Sequence, residues 1–352
     1  MKSNRKFLVL ILALVMCCSV IFSACSSKKD PEITGETTTE ASATDENALK
    51  KAKYNEALAL IEDKKYEDAY KLLKELGDYQ DAIDALKHFR FVPTQAKIEV
   101  VYGDMLISQT IAISYDENNF LKQAAYKESM GAQGESEYTV AYTYNEKARV
   151  TKTVRTESDG TMIVTDYTYD EKDNLIKSVY SNPANGRSTT NEYVYNDQGK
   201  IAKETTTYVH EQEGGEPYTS TTVTDYIYDE KGNLHKEVDP YQIYEYTYDE
   251  NGNMTKVVVS DAEDGSIYST NVITYDENGK MVKAIGTDSD GKTATTTYSY
   301  DENGNLVYGL SDPYAGIEGA KGEHKFEYKL VYYPFDLSDE AFAAMMENFT
   351  LV

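Results

Sequence analysis

One nine-residue pattern, Tyr-x-Tyr-Asp-x-x-Gly-x-Leu, constrains the fold of this chain more than any other feature. It is clearest as YSYDENGNL at Tyr298 to Leu306, and eight related copies lie between about residue 113 and residue 308. The second tyrosine of each copy, here called the turn tyrosine, occupies these positions: Tyr115, Tyr144, Tyr169, Tyr195, Tyr228, Tyr248, Tyr275 and Tyr300. The gaps between them are 29, 25, 26, 33, 20, 27 and 25 residues. Self-similarity at this period predicts a repeat architecture.

The residues after each turn tyrosine predict a tight β-hairpin. Asp suits the first position of a type I turn, and Glu-Asn-Gly fits two right-handed residues followed by a left-handed one. The left-handed position holds these residues in seven copies: Asn119, Asp173, Gly199, Gly232, Gly252, Gly279 and Gly304. All three residue types visit that conformation more readily than most. Ala148 holds it in the second copy, so that turn is expected to be strained or differently shaped.

The hairpin also predicts which residues share a face. The turn tyrosine should face the residue six positions later, because cross-strand neighbours lie on one side of a sheet. Those eight residues are all apolar: Leu121, Val150, Leu175, Ile201, Leu234, Met254, Met281 and Leu306. The position two before the turn tyrosine holds Tyr in six copies and Ile in two, which favours a buried role. The residue between them is mostly Ser or Thr and should face water.

A row of lysines accompanies the repeats. Six copies carry Lys eight positions after the turn tyrosine: Lys152, Lys177, Lys203, Lys236, Lys256 and Lys283. Counting by the same register places each lysine across from the tyrosine two positions before the turn tyrosine. The aliphatic part of the lysine side chain could then run along the tyrosine ring. The core face is therefore expected to be framed by a Tyr–Lys row.

The remaining turns complete each unit as two strands and two loops. Second hairpin loops are predicted at Ser158-Asp159-Gly160, Asn185-Gly186, Glu263-Asp264-Gly265 and Ser289-Asp290-Gly291. The predicted fold class is mainly β, a curled antiparallel meander of about 16 strands built from these hairpin repeats. The pattern resembles the YD repeats of the Rhs family over about 200 residues. That resemblance implies the strand arrangement, without the hollow shell or the enclosed toxin of the family's large members.

The N-terminus has the layout of a targeting segment. Lys2, Arg5 and Lys6 precede a mostly apolar run from Phe7 to Phe22, as in a secretory signal peptide. Phe22-Ser23-Ala24-Cys25 then resembles the lipobox of bacterial lipoproteins. The resemblance implies cleavage before Cys25 and attachment of a lipid to its thiol. An ordinary signal peptide with a nearby cysteine is the alternative.

Cysteine usage agrees with an acylated N-terminus. Cys17 and Cys18 lie inside the segment that would be removed, so the mature chain would keep no free thiol and no disulfide. Residues 25–45 are polar and lack apolar periodicity, which predicts a flexible tether.

A small helical module is predicted over residues 46–92, with three helices read from apolar spacing. Asp63-Lys64-Lys65 should separate the first two helices, Gly77 should end the second, and Pro93 should close the third. The string KKYEDAYKLLKELGDY resembles part of a tetratricopeptide repeat and covers about one repeat. The module is either a partner-docking surface or a spacer or cap for the sheet that follows.

The predicted domains are a signal peptide at 1–24, the tether at 25–45, the helical module at 46–92, the repeat β-domain at 93–333 and a capping helix at 334–352. Within the last two, Phe326 to Tyr333 should form a closing strand. Ser338 can cap a helix that carries Phe342, Met345, Met346 and Phe349 at helical spacing. This helix is expected to cover an open end of the sheet.

No arrangement of residues in the sequence points to catalysis. The four histidines, His88, His210, His235 and His324, are scattered and share no metal-ligand spacing. The acidic turns slightly resemble calcium loops, but a turn needs Asp, Asn and Gly for backbone reasons alone. We therefore predict no catalytic residue, no metal site and no cofactor. The ligand-binding residues stay unassigned, and Cys25 is the one assigned site, for lipid attachment.

Charge and location limit the partners. The net charge of -25 argues against binding nucleic acid or anionic lipid headgroups, since both require a basic face. The expected location is the extracytoplasmic face of a bacterial cell membrane, reached through the lipid on Cys25. Two functions remain open at this point. One is the binding of a carbohydrate or protein at the envelope, and the other is a structural or assembly scaffold.

Overall fold

A computed structural model describes residues 40–130, 134–211, 214–313 and 318–333. The signal segment, Cys25 and the predicted helix at 334–352 lie outside the described residues. The described chain begins with three helices: α1 Glu40–Glu62, α2 Tyr66–Glu75 and α3 Gln80–Leu86. Eighteen strands follow: β1 Phe89–Tyr102, β2 Met105–Tyr115, β3 Leu121–Met130, β4 Glu135–Tyr144, β5 Val150–Glu157, β6 Met162–Tyr169, β7 Leu175–Asn182, β8 Arg187–Tyr195, β9 Ile201–His210, β10 Tyr218–Tyr228, β11 Leu234–Val238, β12 Gln242–Tyr248, β13 Met254–Asp261, β14 Ile267–Tyr275, β15 Met281–Asp288, β16 Thr293–Tyr300, β17 Leu306–Asp312 and β18 Ala320–Tyr332.

The strands form one closed antiparallel sheet, a barrel in which each strand pairs with its neighbours in sequence. Strands β2 to β17 are the 16 strands predicted for the repeats. The predicted fold class, an antiparallel meander of hairpin repeats behind three helices, is confirmed. Two further strands, β1 and β18, pair with each other from Phe89↔Tyr332 to Tyr102↔Ala320 and close the ring. Closure removes the free edges that a 16-stranded open sheet would expose.

The helical module packs on the outside of the seam between β1 and β18. Leu73 and Leu76 of the α2 region form a buried cluster with Phe89 and Leu330 of these strands. Gly77 has φ 58 and follows α2, as expected for its left-handed C-cap. The module therefore contacts the sheet in the manner expected of a cap.

Two boundaries of the module differ from the sequence prediction. Helix α1 begins at Glu40, inside the segment predicted as tether. The third helix ends at Leu86, and Phe89 already belongs to β1, so Pro93 lies within a strand instead of closing a helix. Proline is tolerated there because the pairing of β1 with β18 shifts between Pro93 and Gln95, and a residue without an N–H suits such an irregular position.

Candidate functional site

The eight repeat turns all lie at one end of the closed sheet, here called the YD rim. It comprises the loops 116–120, 145–149, 170–174, 196–200, 229–233, 249–253, 276–280 and 301–305. In the first, Asp116 N donates to Phe120 O at 2.8 Å and Asn119 N donates to Asp116 O at 3.1 Å, and the other seven turns repeat both bonds. The Asp116 Oδ1 also accepts from two backbone N–H groups of its own turn. The turn carboxylates thus act mainly on the backbone.

Every turn reaches the predicted left-handed conformation. The five glycines have φ between 75 and 88, while Asn119, Ala148 and Asp173 have φ of 64, 61 and 66. The second turn therefore keeps the shape of the others and holds Ala148 in a conformation that costs a non-glycine residue about 1–2 kcal/mol. The four predicted second loops also turn at a left-handed glycine, with φ of 86, 63, 72 and 79 at Gly160, Gly186, Gly265 and Gly291.

The predicted cross-strand partners of the turn tyrosines are confirmed in all eight repeats. Tyr115 pairs with Leu121 and Tyr300 with Leu306, and the other six pair in the same way. The residue before each turn tyrosine is exposed, as at Thr143 and Thr247. Most of these outward residues carry hydroxyl groups, but Val194 and Ile227 are exposed apolar exceptions.

Each turn tyrosine after the first donates its hydroxyl to the backbone of the preceding repeat. The acceptor is always the carbonyl of that repeat's apolar partner residue. The bonds, between 2.7 and 2.9 Å, are Tyr144 to Leu121, Tyr169 to Val150, Tyr195 to Leu175, Tyr228 to Ile201, Tyr248 to Leu234, Tyr275 to Met254 and Tyr300 to Met281. The first, Tyr115, donates to Pro93 O of β1 at 2.6 Å. We call this series the tyrosine ladder, and it explains why Tyr and not Phe occupies the position.

The predicted Tyr–Lys row is wrong. Each lysine pairs with the exposed residue directly before the turn tyrosine, as Lys177 does with Thr168. It does not pair with the residue two positions before the turn tyrosine, which is Tyr167 in this repeat. The cause is a bulge beside every turn tyrosine: the strand after the turn holds one extra residue, such as Ile176 between Leu175 and Lys177, and this reverses the face of all that follows. The lysines therefore lie on the outer face, where four meet acidic partners on the next strand: Lys152–Asp166, Lys177–Glu192, Lys203–Asp225 and Lys236–Glu245.

Other cations do contact the turn tyrosines, from a position the sequence analysis did not single out. The fifth residue after a turn tyrosine reaches the next repeat in several copies. Lys200 donates to Gly232 O and lies 5.3 Å from the Tyr228 ring, and Lys280 lies 5.2 Å from the Tyr300 ring. In other copies this position is Asn, which bonds the Asp side chain of its own turn, as Asn253 does with Asp249 at 2.9 Å. The signal available in the sequence was that the last six copies hold only Asn or Lys at this position.

The inner face carries two half-buried glutamate–tyrosine pairs. Tyr226 donates to Glu204 at 2.9 Å, and Tyr246 donates to Glu237 at 2.8 Å. Burial raises the pKa of Glu237, and the nearby Glu204 charge adds to this, while the bond from Tyr246 opposes it. Burial also raises the pKa of Tyr248 to about 12, with Asp229 contributing. Glu237 and Tyr248 therefore hold their protons more tightly than exposed groups of the same kind, and in each pair the glutamate accepts the hydrogen bond of the tyrosine.

A shallow cleft of about 460 Å³ lies on the YD rim between the second and third turns. Lys147 of one turn bonds Asp173 of the next at 2.9 Å across it. Thr151, Thr168 and Asp170 also line the cleft. Most of its exposed lining is apolar, and the Lys, Asp and Thr side chains add polar groups that could bind a hydroxyl-rich ligand.

The histidines are as dispersed in space as in sequence. His88 Nδ1 lies 3.0 Å from Tyr333 O, whereas His324 is an inner-face residue whose pKa is lowered by burial. Among the residues that the structure describes, no group of three or more His, Cys, Asp or Glu side chains is placed to hold a metal ion. No helix in the described ranges is long and apolar enough to cross a membrane.

Comparison with known proteins identifies the repeat. The family described as RHS Repeat matches residues 275–316, which include the seventh and eighth turns. Residues 275–316 are therefore similar to an RHS repeat, and the described strands show the same hairpin unit eight times. A search of the curated proteins finds no match.

Two solved structures illustrate the structural likeness. A porin-like protein from Bacteroides uniformis is 15% identical, with 67% of this chain and 98% of that chain covered at a TM-score of 0.37. The structure of TcdB2-TccC3-Cdc42 is 12% identical, with 59% of this chain and 15% of that chain covered at a TM-score of 0.23. Both TM-scores are below 0.5, and the closed sheet is defined by the strand pairing of this chain alone.

Proposed function

We propose that the protein is a lipid-anchored, non-catalytic scaffold on the extracytoplasmic face of a bacterial cell membrane. The observation that carries the proposal is the tyrosine ladder. The turn tyrosines are the side chains that would be expected to bind a ligand. Instead, their hydroxyl groups donate hydrogen bonds to the backbone of the neighbouring repeat, and their rings pack on the inner face. The repeat sequence thus serves the assembly of the sheet, which is what a structural repeat protein requires.

The anchor is part of the same proposal and is supported by the sequence at Cys25. Replacing Cys25 with Ala should move the full-length protein from the membrane fraction to the soluble fraction of its host. The matched control is Ser26→Ala, which leaves the cysteine in place. Retention of the Cys25→Ala protein on membranes would refute the lipid anchor.

A second candidate function is binding of a carbohydrate or protein, and the cleft between the second and third turns favours it. Glycan arrays and pull-downs from cell-envelope extracts, with the full chain as probe, test both functions together. The scaffold proposal expects no glycan ligand. A ligand whose binding is lost in Thr168→Val, and kept in the equivalent variant Thr247→Val far from the cleft, would favour the second function instead.

A further inference from the structure

The end of the closed sheet opposite the YD rim, here called the far rim, exposes more apolar surface than the YD rim does. Its loops join each odd-numbered strand to the next even-numbered strand. Within two residues of these loops, the large apolar side chains that are exposed are Val101, Tyr102, Met105, Leu106, Met162, Tyr218, Tyr241 and Ile267. By the same measure, the described residues at the YD rim expose only Val194 and Ile227, both on the outer face.

The first four of these side chains form the tip of the β1–β2 hairpin, here called the apolar finger. A two-residue turn, Gly103-Asp104, joins Tyr102 to Met105, and these two residues pair with each other. The pairing of β2 with β3 begins only at Ile107, so the first two residues of β2 extend beyond it. The finger residues, each 46–47% exposed, are Val101, Tyr102, Met105 and Leu106. Because successive residues of a strand point to opposite faces, the finger is apolar and half-exposed on both faces.

The finger is not explained by the packing of the sheet. A strand of an antiparallel sheet with one solvated face turns apolar residues to the core and polar residues to water. The finger places apolar residues on both faces and buries neither set. Exposed apolar groups that cluster in this way mark interaction surfaces, and Tyr and Met are enriched in protein interfaces. The finger therefore has the character of a docking surface.

Charge around the finger indicates what kind of partner fits. The described loop residues of the far rim include nine acidic side chains and one basic side chain, Lys292. The acidic residues are Asp104, Asp159, Glu211, Glu216, Asp239, Glu263, Asp264, Asp290 and Glu318. Asp104 lies at the tip of the finger, and Glu318 lies two residues before Ala320, the β18 partner of Tyr102. A surface with one sign of charge favours a partner of the opposite sign.

We propose that the apolar finger docks a basic segment of a partner protein, one that carries apolar side chains together with lysine or arginine. The proposal rests on the scaffold function and names the chemistry of the component that the scaffold holds. A second copy of this chain fits poorly, because two acidic far rims repel each other. A bilayer also fits poorly, because insertion of the finger carries Asp104 out of water and the acidic loops repel anionic headgroups.

A dye whose emission shifts to the blue in apolar surroundings reports docking at a chosen position. In a full-length background with Cys17, Cys18 and Cys25 changed to Ser, the dye is attached to Leu106→Cys in the finger or to Ile227→Cys on the outer face. Leu106 and Ile227 are both 46% exposed, so the two positions are matched. The probe is a helical peptide of Lys and Leu, and the comparison peptide carries Glu in place of each Lys.

The Lys–Leu peptide should shift the emission at Leu106→Cys with an apparent Kd at least about tenfold lower than at Ile227→Cys, and the Glu–Leu peptide should shift neither. The apparent Kd at the finger should rise with salt, because exposed charges are screened. Equal Kd values at the two positions would overturn the proposal, since the peptide would then respond to the net charge of the chain and not to the finger.

Paired substitutions locate the charge contribution. Asp104→Asn with Glu318→Gln removes two charges beside the finger, and the control, Glu250→Gln with Glu302→Gln, removes two exposed charges from the YD rim. The first pair should raise the apparent Kd at Leu106→Cys at least about threefold, and the control should not. Equal effects of the two pairs would overturn the proposal.

Two further measurements exclude the other occupants. A blue shift at Leu106→Cys with phosphatidylcholine vesicles alone would assign the finger to a bilayer. A blue shift that grows with protein concentration in the absence of peptide would assign it to a second copy of the chain. Either result overturns the proposal and leaves the scaffold function, which the glycan and pull-down assays judge separately.

Discussion

The tyrosine ladder predicts a measurable stability cost for removing single hydroxyl groups. Three rungs are well suited to the test, because Tyr144, Tyr228 and Tyr248 each donate to a backbone carbonyl at 2.8 Å. Tyr→Phe keeps the ring and its packing and removes only the hydrogen bond. A typical intramolecular hydrogen bond contributes about 0.5–1.5 kcal/mol net, so each variant should lose about 1 kcal/mol of unfolding free energy.

The losses of unfolding free energy from the three single substitutions should also be additive. Neighbouring rungs are two strands apart, about 9.6 Å, and share no partner atoms, which is the range where substitutions behave independently. The triple variant should therefore lose about 3 kcal/mol. Urea unfolding followed by circular dichroism measures these losses as shifts in the midpoint at constant slope.

The control for this series is Tyr241→Phe. Tyr241 is 61% exposed in the loop before β12, outside the ladder. Its substitution should change the unfolding free energy by less than about 0.5 kcal/mol, as for most surface positions. If the three ladder variants are no less stable than this control, water replaces the lost bonds and the ladder does not hold neighbouring repeats together.

Three further predictions concern the turns, the inner face and the outer face. Ala148→Gly should stabilise the protein by about 0.5–1 kcal/mol by relieving its left-handed strain, and Gly199→Ala should destabilise it by about 1–2 kcal/mol, both read from thermal unfolding. The pKa of Glu237 is raised on folding. Between the ordinary pKa of Glu and this raised value, the folded state therefore binds more protons than the unfolded state, and the stability of the protein falls as the pH rises. Glu237→Gln should therefore be more stable than wild type at pH 7 and lose part of this pH dependence, and a pH profile of stability equal to that of wild type would contradict the burial argument. Lys236→Ala, which removes a cross-strand ion pair on the outer face, should cost no more than about 0.5 kcal/mol, and a larger loss would mean that the lysine row has a role beyond solvation.

Much of the fold could be predicted because its signals are local. The turn chemistry follows from a few residues, and the pairing of each turn tyrosine with the residue six positions later follows from the turn. The lysine row failed for an equally local reason. The bulge adds one residue, Ile176, after the turn, so that Lys177 pairs with Thr168, and counting in steps of two past the bulge gives the wrong face.

The closure of the ring and the tyrosine ladder could not be derived in the same way. Strand β1 contains Pro93 and lacks the repeat pattern, so nothing in its own sequence indicates that Phe89 pairs with Tyr332 of β18, 243 positions later in the chain. The ladder bond of Tyr228 joins residues 27 positions apart, and its acceptor is a backbone carbonyl, which leaves no trace in side-chain identity at Ile201. Long-range contacts of this kind depend on curvature that single residues do not encode.

The way the ring closes restricts how such a chain can change in length. Because β18 runs antiparallel to β1, the number of strands between them must be even. A whole hairpin unit can be added or removed without reversing either closing strand, and each rung of the ladder needs only the repeat before it. Loss or gain of one strand would instead bring β18 to β1 in parallel, with mismatched hydrogen bonds. The hairpin is therefore the smallest unit by which a ring of this kind can grow or shrink and still close.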